Sequence, residues 1–265
     1  MEAALVDASP LVIADAAADW ACPTVAFTYN DPLVYTEYAV DVARTCHVRG
    51  LRTVAVTGGY ATAPVRRELF GVMDAANVDL KAFDEEQHRR LTGGDLRPVL
   101  DTLLHVRHHA ATWLEISTLL VPGVNDDNAQ LRAMTAWIHA ELGPDVPLHF
   151  ATPRPGYRPG SVAPPPMASA PARAALARAW TIAREAGLHY VYTGTDGIAA
   201  GRTTNCPGCG TALVEREGLT VRRYRLTSEG RCPECRSPVA GVFDDRPGEF
   251  GARRIPVRVE APLNR

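Results

Sequence analysis

Residues 77–83 read NVDLKAF, and this stretch indicates the kind of fold that surrounds it. Its apolar residues alternate with polar ones, and a period of two is the period of a β-strand. The segments on either side have helical patterns, and strands between helices are usually covered on both faces. This stretch differs, because Asp79 and Lys81 lie side by side on one of its faces. The sequence therefore predicts a strand with one uncovered face that carries these two residues.

Strand and helix patterns alternate along most of the chain. Strands are predicted at 24–29, 53–58, 77–83, 113–121, 146–151 and 190–194, and helices at 31–49, 64–74, 96–109, 126–142 and 170–186. Repeated strand–helix units predict an α/β fold with parallel strands and right-handed crossovers. With six strands, we expect a full or partial (β/α) barrel rather than an open sheet.

The composition is that of an ordinary globular protein, with 46% hydrophobic and 22% charged residues. A net charge of −2 gives no electrostatic footprint for nucleic acid or for an acidic membrane surface. No apolar run has the length that a membrane-spanning helix needs, and the N-terminal MEAALVDASP does not resemble a secretory signal. We therefore expect a cytoplasmic protein without nucleic-acid or membrane partners.

Three parts are predicted along the chain. Residues 1–200 form the partial barrel, residues 201–243 form a cysteine-rich metal ribbon, and residues 244–265 form a C-terminal tail. A stretch that is densest in proline and glycine at 158–171 is expected to be a loop on the carboxyl side of the strands.

The cysteine-rich part contains two C-x-x-C motifs, CPGCG and CPECR. Their cysteines are Cys206, Cys209, Cys232 and Cys235. Two such knuckles make a tetrahedral thiolate site that suits a structural zinc, with a single iron as the second choice. The other interpretations are four unrelated thiols or two disulfides. Cys22 and Cys46 have no such partners, and we expect them to be small buried residues.

Polar residues end nearly every predicted strand. In barrels of parallel strands, functional side chains gather at the carboxyl ends of the strands. The candidates are Asn30, Asp31, Thr57, Gly58, Asp79, Lys81 and His149, with Glu115, Ser117 and Tyr192 at further strand ends. Together they suit a ligand with an amino group, a carboxylate and hydroxyls.

Each candidate also has a purely structural interpretation. Asp31 could cap a helix, His149 could be a core histidine, and Asp79 with Lys81 could be a structural ion pair. Asn125 and Asp126 are expected to shape a turn and cap the next helix.

Several of these stretches resemble one family. AFTYNDP, VTGGY, ANVDLKAF, STLLVPGVND, PLHFATPRPGY and YVYTGT follow the order seen in radical S-adenosylmethionine (SAM) enzymes. They most resemble the radical SAM member of the AmmeMemoRadiSam group, which is itself similar to pyruvate formate-lyase activating enzyme. The C-terminal NCPGCG…RCPECRSPVAGVF also resembles the cysteine-rich tail of that group, so the resemblance covers about residues 10–243.

The resemblance implies a role for each candidate in binding SAM. It places Asn30 and Asp31 on the amino group, Thr57 and Gly58 on the ribose or methionyl part, Lys81 beside Asp79 on the carboxylate, and His149 on the far side. The chain departs from the family at two points. Gly58 replaces the asparagine that close relatives usually have, and a second histidine expected near position 154 is absent.

The resemblance also implies a [4Fe–4S] cluster, held by a C-x3-C-x2-C motif after the first barrel strand. No such spacing occurs in this sequence, and neither Cys22 nor Cys46 belongs to a triplet. In the family the cluster reduces SAM to yield a 5′-deoxyadenosyl radical. We therefore expect that the cluster-binding part is missing upstream, and that this chain alone is a truncated or inactive form.

Two further functions are compatible with the sequence. A Schiff-base barrel lyase would use Lys81 as its nucleophile. A non-catalytic zinc-binding module would use the cysteine-rich segment to contact a partner. For the radical SAM interpretation, the resemblance implies a protein substrate or the AmmeMemoRadiSam proteins as partners.

Overall fold

The computed structural model describes residues 7–153, 169–194, 197–248, 253–257 and 259. The first sheet contains β1 Thr24–Phe27, β2 Arg52–Thr57, β3 Ala75–Asp79, β4 Trp113–Leu119, β5 Leu148–Ala151 and β6 Val191–Thr193. The helices are α1 Pro10–Asp19, α2 Thr36–Val48, α3 Ala63–Phe70, α4 Glu85–Thr92, α5 Leu96–His109, α6 Asn128–Trp137 and α7 Ala170–Glu185. The second sheet contains β7 Thr203–Asn205, β8 Ala212–Glu217 and β9 Thr220–Tyr224.

The first sheet confirms the predicted α/β class. Its six strands follow one another in sequence order, and the pairs β1–β2, β2–β3, β4–β5 and β5–β6 are parallel. The second sheet is antiparallel, in the order β7-β8-β9. Parallel neighbours in sequence order require a helical crossover between consecutive strands, which is the pattern that the sequence indicated.

Internal contacts divide the chain into two compact units, and each is described by itself. The first is Met1–Val78 with Pro98–Leu114 and Arg254–Arg265, and the second is Asp79–Arg97 with Glu115–Arg253. The division at residues 200 and 243 that the sequence suggested stays a prediction.

In both units the strands bury alternate residues. The first unit buries Ala55 of β2 and Val78 of β3 completely, and α2 packs against β2. The second unit buries Ile116 of β4 and Phe150 of β5, and α7 packs against β5 and β6. The residues that alternate with the buried ones are mostly half-exposed. Strands β2, β3, β4 and β5 therefore each have one face toward the helices and one uncovered face.

The strand predicted over 77–83 ends at Asp79. Burial continues to alternate through Ala82, but Asn125 binds the chain beyond the end of the strand. Its side-chain amide donates to the carbonyl of Lys81 at 2.7 Å and to that of Leu119 at 2.8 Å. Asn125 therefore shapes the turn as predicted, because a side-chain donor replaces the backbone ladder at this point.

Several predicted boundaries are corrected by local hydrogen bonding. The helix predicted from residue 31 begins as a 3-10 turn, Pro32–Tyr35, and becomes α-helical only at Thr36. Asp127, not Asp126, caps α6, since its carboxylate accepts from two backbone N–H groups of the first turn. Helix α4 was not predicted, because its sequence is polar and buries only His88.

The two cysteines outside the C-x-x-C motifs differ in burial. Cys46 is fully buried in α2, as predicted. Cys22 is exposed, so the prediction of a buried residue is wrong there. It follows the end of α1 in a turn where Ala21 has a φ of 51°, which leaves the side chain outside the core.

Some predicted segments lie wholly or partly outside the described residues. The proline-rich loop is described only from Ser169, which caps α7. Of the predicted tail, residues 244–248 and 253–257 carry no helix or strand. Among the described helices, none combines the length and the apolar character required to cross a bilayer.

We expect the Asn125→Ala variant to lose about 2–4 kcal/mol of unfolding free energy, because it leaves several buried backbone groups unpaired. Asn125 is 5% exposed, and its carbonyl also accepts from the backbone of Val121 at 2.6 Å. Urea unfolding measures the loss. Asn128→Ala, at an exposed position, is the control and should change stability by less than about 0.5 kcal/mol. Equal stability of the two variants would contradict the prediction.

Candidate functional site

In the first unit, Asp31 joins the segments that follow β1 and β2. Its Oδ1 accepts from the backbone of Leu33 at 3.0 Å and from the hydroxyl of Thr57 at 2.7 Å. Its Oδ2 accepts from the backbone of Gly58 at 2.8 Å. A carboxylate offers about four acceptor positions, so Oδ2 retains capacity for one further donor. Asp31 is therefore a helix cap, as one interpretation held, and also the centre of a preorganised loop.

A strained turn precedes Asp31. Tyr29 has a φ of 70°, and the backbone of Asn30 donates to the carbonyl of Thr28 at 3.0 Å, which closes a γ-turn. A bulky residue rarely adopts positive φ, and such strain is typical of functional loops. Tyr29 is 81% exposed and gives no signal in the sequence, because tyrosine is a poor residue for this conformation. The turn leaves the side chain of Asn30 exposed.

The loop after β2 is fixed from inside the protein. Thr57 is 2% exposed, and its hydroxyl donates to Asp31 while its oxygen accepts from the backbone of Gly59 at 3.0 Å. Gly59 has a φ of 71°, and a Cβ there would lie 2.8 Å from Val78 Cγ1. The hydroxyl of Thr102 donates to the carbonyl of Gly59 at 2.7 Å. Gly59 is thus the glycine that this loop requires, and Thr57 holds the loop in place.

In the second unit, Lys81 and Asp79 form an ion pair, which was the structural interpretation of this stretch. Lys81 Nζ donates to Asp79 Oδ2 at 2.7 Å, and the two side chains are 33% and 29% exposed. Lys81 is the only lysine among the 28 lysine and arginine residues of the chain. A lysine ammonium is a compact charge that can pair one carboxylate oxygen without the planar fork of arginine.

A row of polar side chains crosses the uncovered face of the strands in this unit. The backbone of Leu80 donates to the carbonyl of Ser117, which places Asp79 beside Ser117 on the face opposite Leu80. The register then pairs Ser117 with His149, and His149 with Tyr192. The row Asp79, Ser117, His149, Tyr192 therefore follows from the pleat.

His149 has two close partners on this face. Its Nε2 lies 2.7 Å from Glu115 Oε2, and both side chains are 35% exposed. Its ring stacks on Tyr192 with 5.1 Å between ring centroids and 25° between the planes. Burial raises the pKa of the Tyr192 hydroxyl, which therefore stays protonated. The core-histidine interpretation does not account for this open setting.

The four cysteines of the two C-x-x-C motifs converge in the second unit. All four sulfur atoms lie within 4.8 Å of one another, with 3.4 Å between Cys206 and Cys235 and 3.7 Å between Cys209 and Cys232. A tetrahedral zinc with Zn–S bonds of about 2.3 Å separates its sulfurs by about 3.8 Å. Disulfides are excluded at these distances, since bonded sulfurs are about 2.05 Å apart. The arrangement fits one metal ion.

The surroundings of the thiols also suit a metal. Hydrogen bonds from Ser237 lower the pKa of Cys235 to about 6, and hydrogen bonds from Thr211 lower the pKa of Cys209. Burial raises the pKa of Cys206 to about 11. A buried thiol of this kind is deprotonated by metal coordination itself.

A small core packs around the four-cysteine site. It consists of Tyr190, Cys206, Leu213, Val214, Leu226, Cys232 and Val239. Burial raises the pKa of Tyr190 to about 12, and its hydroxyl oxygen accepts from the backbone of Ala240 at 3.0 Å. We expect so small a core to gain stability from a metal bound to the four cysteines.

The first half of the chain is similar to proteins of a known superfamily. Residues 5–133 match the sequence profile of the Radical SAM superfamily. An uncharacterized protein of Methanocaldococcus jannaschii is 32% identical over 228 residues, which cover 86% of this chain and 66% of that protein. The benzylsuccinate synthase activating enzyme of Thauera aromatica is 27% identical over 115 residues, or 43% of this chain and 34% of the enzyme.

A solved structure agrees with the fold. A domain of pyruvate-formate lyase-activating enzyme from Bacteroides vulgatus superimposes with a TM-score of 0.52 at 19% identity, covering 64% of this chain and 98% of that domain. At this identity the likeness concerns the fold alone. The chain spans about two thirds of the length of its archaeal relative and about a third of the activating enzyme.

We expect the purified protein to contain one zinc ion per chain, and the Cys209→Ser variant to lose most of it, because one of four thiolate ligands is removed. Elemental analysis gives the metal and its stoichiometry, and replacement by Co²⁺ reports tetrahedral thiolate coordination by its absorption spectrum. Cys22→Ser, at the exposed cysteine outside the cluster, is the matched control. Full metal content in the Cys209 variant would overturn the assignment.

Proposed function

Because this chain carries a radical SAM domain with homology to glycyl-radical activating enzymes, we propose that it binds SAM as part of a radical SAM enzyme of the activating type. The observation that carries this proposal is the Asp31 loop. It offers a carboxylate with a free acceptor position next to an exposed amide, held by a strained turn and a glycine with positive φ. Such a set suits the ammonium group of an amino acid.

The remaining contacts are proposed separately for the two units. In the first unit, Asn30 and Asp31 suit the amino group of SAM. In the second unit, the Lys81 ammonium suits a carboxylate, with Asp79 orienting the lysine. Thr57 acts through Asp31, because its buried hydroxyl is already committed, whereas Gly58 presents backbone to the ribose or methionyl part. His149 faces the ligand from the uncovered face of β5.

The ion pair of Lys81 favours this role over that of a nucleophile. A nucleophilic lysine must leave its ion pair to attack a carbonyl group, whereas Lys81 Nζ is held by Asp79 Oδ2 at 2.7 Å. The Schiff-base function is therefore the weaker candidate. Lys81 is the only lysine, so a borohydride-trapped carbonyl adduct on a lysine peptide of this chain lies on Lys81, and such an adduct would favour the lyase.

The residues of this chain do not fit the cluster that the family uses. No C-x3-C-x2-C occurs in the 265 residues, and the four clustered cysteines are placed for a single ion. In the family the cluster supplies the electron that cleaves SAM. We propose that its thiolates come from outside these residues, and that the 265 residues alone bind SAM without cleaving it. The nucleotide sequence upstream of Met1 tests this, because stop codons without an in-frame cysteine triplet would contradict an upstream source.

We base the proposed substrate class and partner on the names of the relatives. Enzymes named as activators of benzylsuccinate synthase and isethionate sulfite-lyase match this chain, so we propose a protein substrate. The finer assignment, to the AmmeMemoRadiSam group and its partner proteins, rests on the motifs and on the cysteine-rich tail. The second candidate, a non-catalytic zinc-binding module, is favoured by the four-cysteine site alone, and it predicts zinc binding without SAM binding.

We expect the chain to bind SAM in calorimetry, and the Lys81→Ala and Asp31→Asn variants to bind it at least about tenfold more weakly. Each variant removes one charge-assisted contact of about 1.5–3 kcal/mol. Arg90→Ala and Asp41→Asn remove surface charges in the same two units and serve as matched controls.

Affinity that is equal in Lys81→Ala and wild type would remove Lys81 from the site. An absence of SAM binding in a correctly folded, zinc-loaded wild type would favour the non-catalytic module.

A further inference from the structure

The contacts of Tyr192 link the four-cysteine segment to the uncovered face of the parallel strands. On one side Tyr192 stacks on His149. On the other, its hydroxyl lies 2.9 Å from the hydroxyl of Thr204, and the guanidinium of Arg216 lies 5.5 Å from the centroid of its ring. Arg216 also donates to Thr204 Oγ1 at 3.0 Å. Tyr192 thus contacts His149 of the first sheet on one side, and Thr204 and Arg216 of the second sheet on the other.

Thr204 and Arg216 lie where the second sheet is irregular. The register of β7 against β8 shifts between Thr204 and Asn205, and that of β8 against β9 shifts between Glu215 and Arg216. A bulge turns a side chain away from the direction that a regular strand would give it. Both shifts occur beside a residue that contacts Tyr192. The irregularities in the sheet therefore direct the side chains of Thr204 and Arg216 toward Tyr192.

The four-cysteine site contains the turn that sets this geometry. The connection between β7 and β8 is the first knuckle, from Cys206 to Thr211, and it is closed by a backbone hydrogen bond of 2.8 Å between those two residues. Binding of a metal to Cys206 and Cys209 therefore fixes the turn that sets Thr204 opposite β8. Without the metal, the short strands rest on a small core.

We propose that the metal-bearing segment positions His149 through Tyr192, with Thr204 and Arg216 as positioning residues. Glu115 holds one ring nitrogen of His149, and Tyr192 fixes the plane of the ring. Loading of the four-cysteine site is in this way transmitted to the face of the strands that carries Lys81. The inference rests on the proposed function only in taking His149 as a residue that faces the ligand.

Nuclear magnetic resonance of the zinc-loaded full chain with labelled histidine tests the proposal. The stacked Tyr192 ring shifts the imidazole protons of His149 upfield, and His149→Gln assigns those signals among the 8 histidines. We expect Arg216→Gln and Tyr192→Phe to lose much of this upfield shift while keeping one zinc per chain. Arg216→Lys, which keeps the cation, should restore part of it.

Arg222→Gln is the matched control, because Arg222 lies on β9, is exposed and pairs with Glu217. It should leave the His149 signals unchanged. Removal of zinc by a chelator should move the signals as Arg216→Gln does, and added zinc should restore them. Unchanged signals in Arg216→Gln and after zinc removal would overturn the proposal, and would show that Glu115 alone positions the ring.

A SAM titration separates this inference from the proposed function. If wild type binds SAM, we expect Arg216→Gln to weaken binding severalfold and Arg222→Gln to leave it unchanged. Unchanged binding in both variants would contradict a role for Thr204, Arg216 and Tyr192 in ligand binding. If wild type binds no SAM, the proposed function fails, but the histidine signals still decide whether the segment positions His149.

Discussion

The pleat of the parallel strands is the constraint on which the candidate site depends. In β2, β3, β4 and β5 every second residue is buried on the face toward the helices, and the residues between the buried ones face an uncovered side. Parallel strands in register bring these uncovered residues into rows. That is why Asp79, Ser117, His149 and Tyr192 are neighbours although long stretches of chain separate them. A polar row would be costly on the covered face, but it is stable where water and ligands have access.

The loops at the strand ends are rigid for a different reason. Asp31 accepts hydrogen bonds from three donors, Gly59 has a positive φ and no room for a Cβ beside Val78, and Tyr29 is held with positive φ. These features limit the positions that the loop atoms can take before any ligand arrives. Preorganised polar groups bind a charged ligand more tightly, because little ordering remains to be done on binding.

The four-cysteine segment packs around its own core and also contacts Tyr192, a residue of the candidate site. Its core is small, and its first knuckle, from Cys206 to Thr211, is the turn between the two strands whose residues contact Tyr192. A structural metal in such a place has a consequence beyond stability. It fixes side chains that contact the neighbouring sheet, in the way that outer residues orient the ligands of a metal centre.

The sequence by itself determined the parallel α/β class, the common face of Asp79 and Lys81, the turn at Asn125 and the two C-x-x-C motifs, because each depends on local period, spacing or turn chemistry. It did not determine the end of β3, the exposure of Cys22 or the polar helix α4, since those depend on which partner a side chain meets. The strained turn at Tyr29, the contact of Glu115 with His149 and the position of Arg216 over Tyr192 came only from the tertiary structure. Strain, stacking and strand irregularities join residues that are distant in the chain, and no periodicity records such contacts.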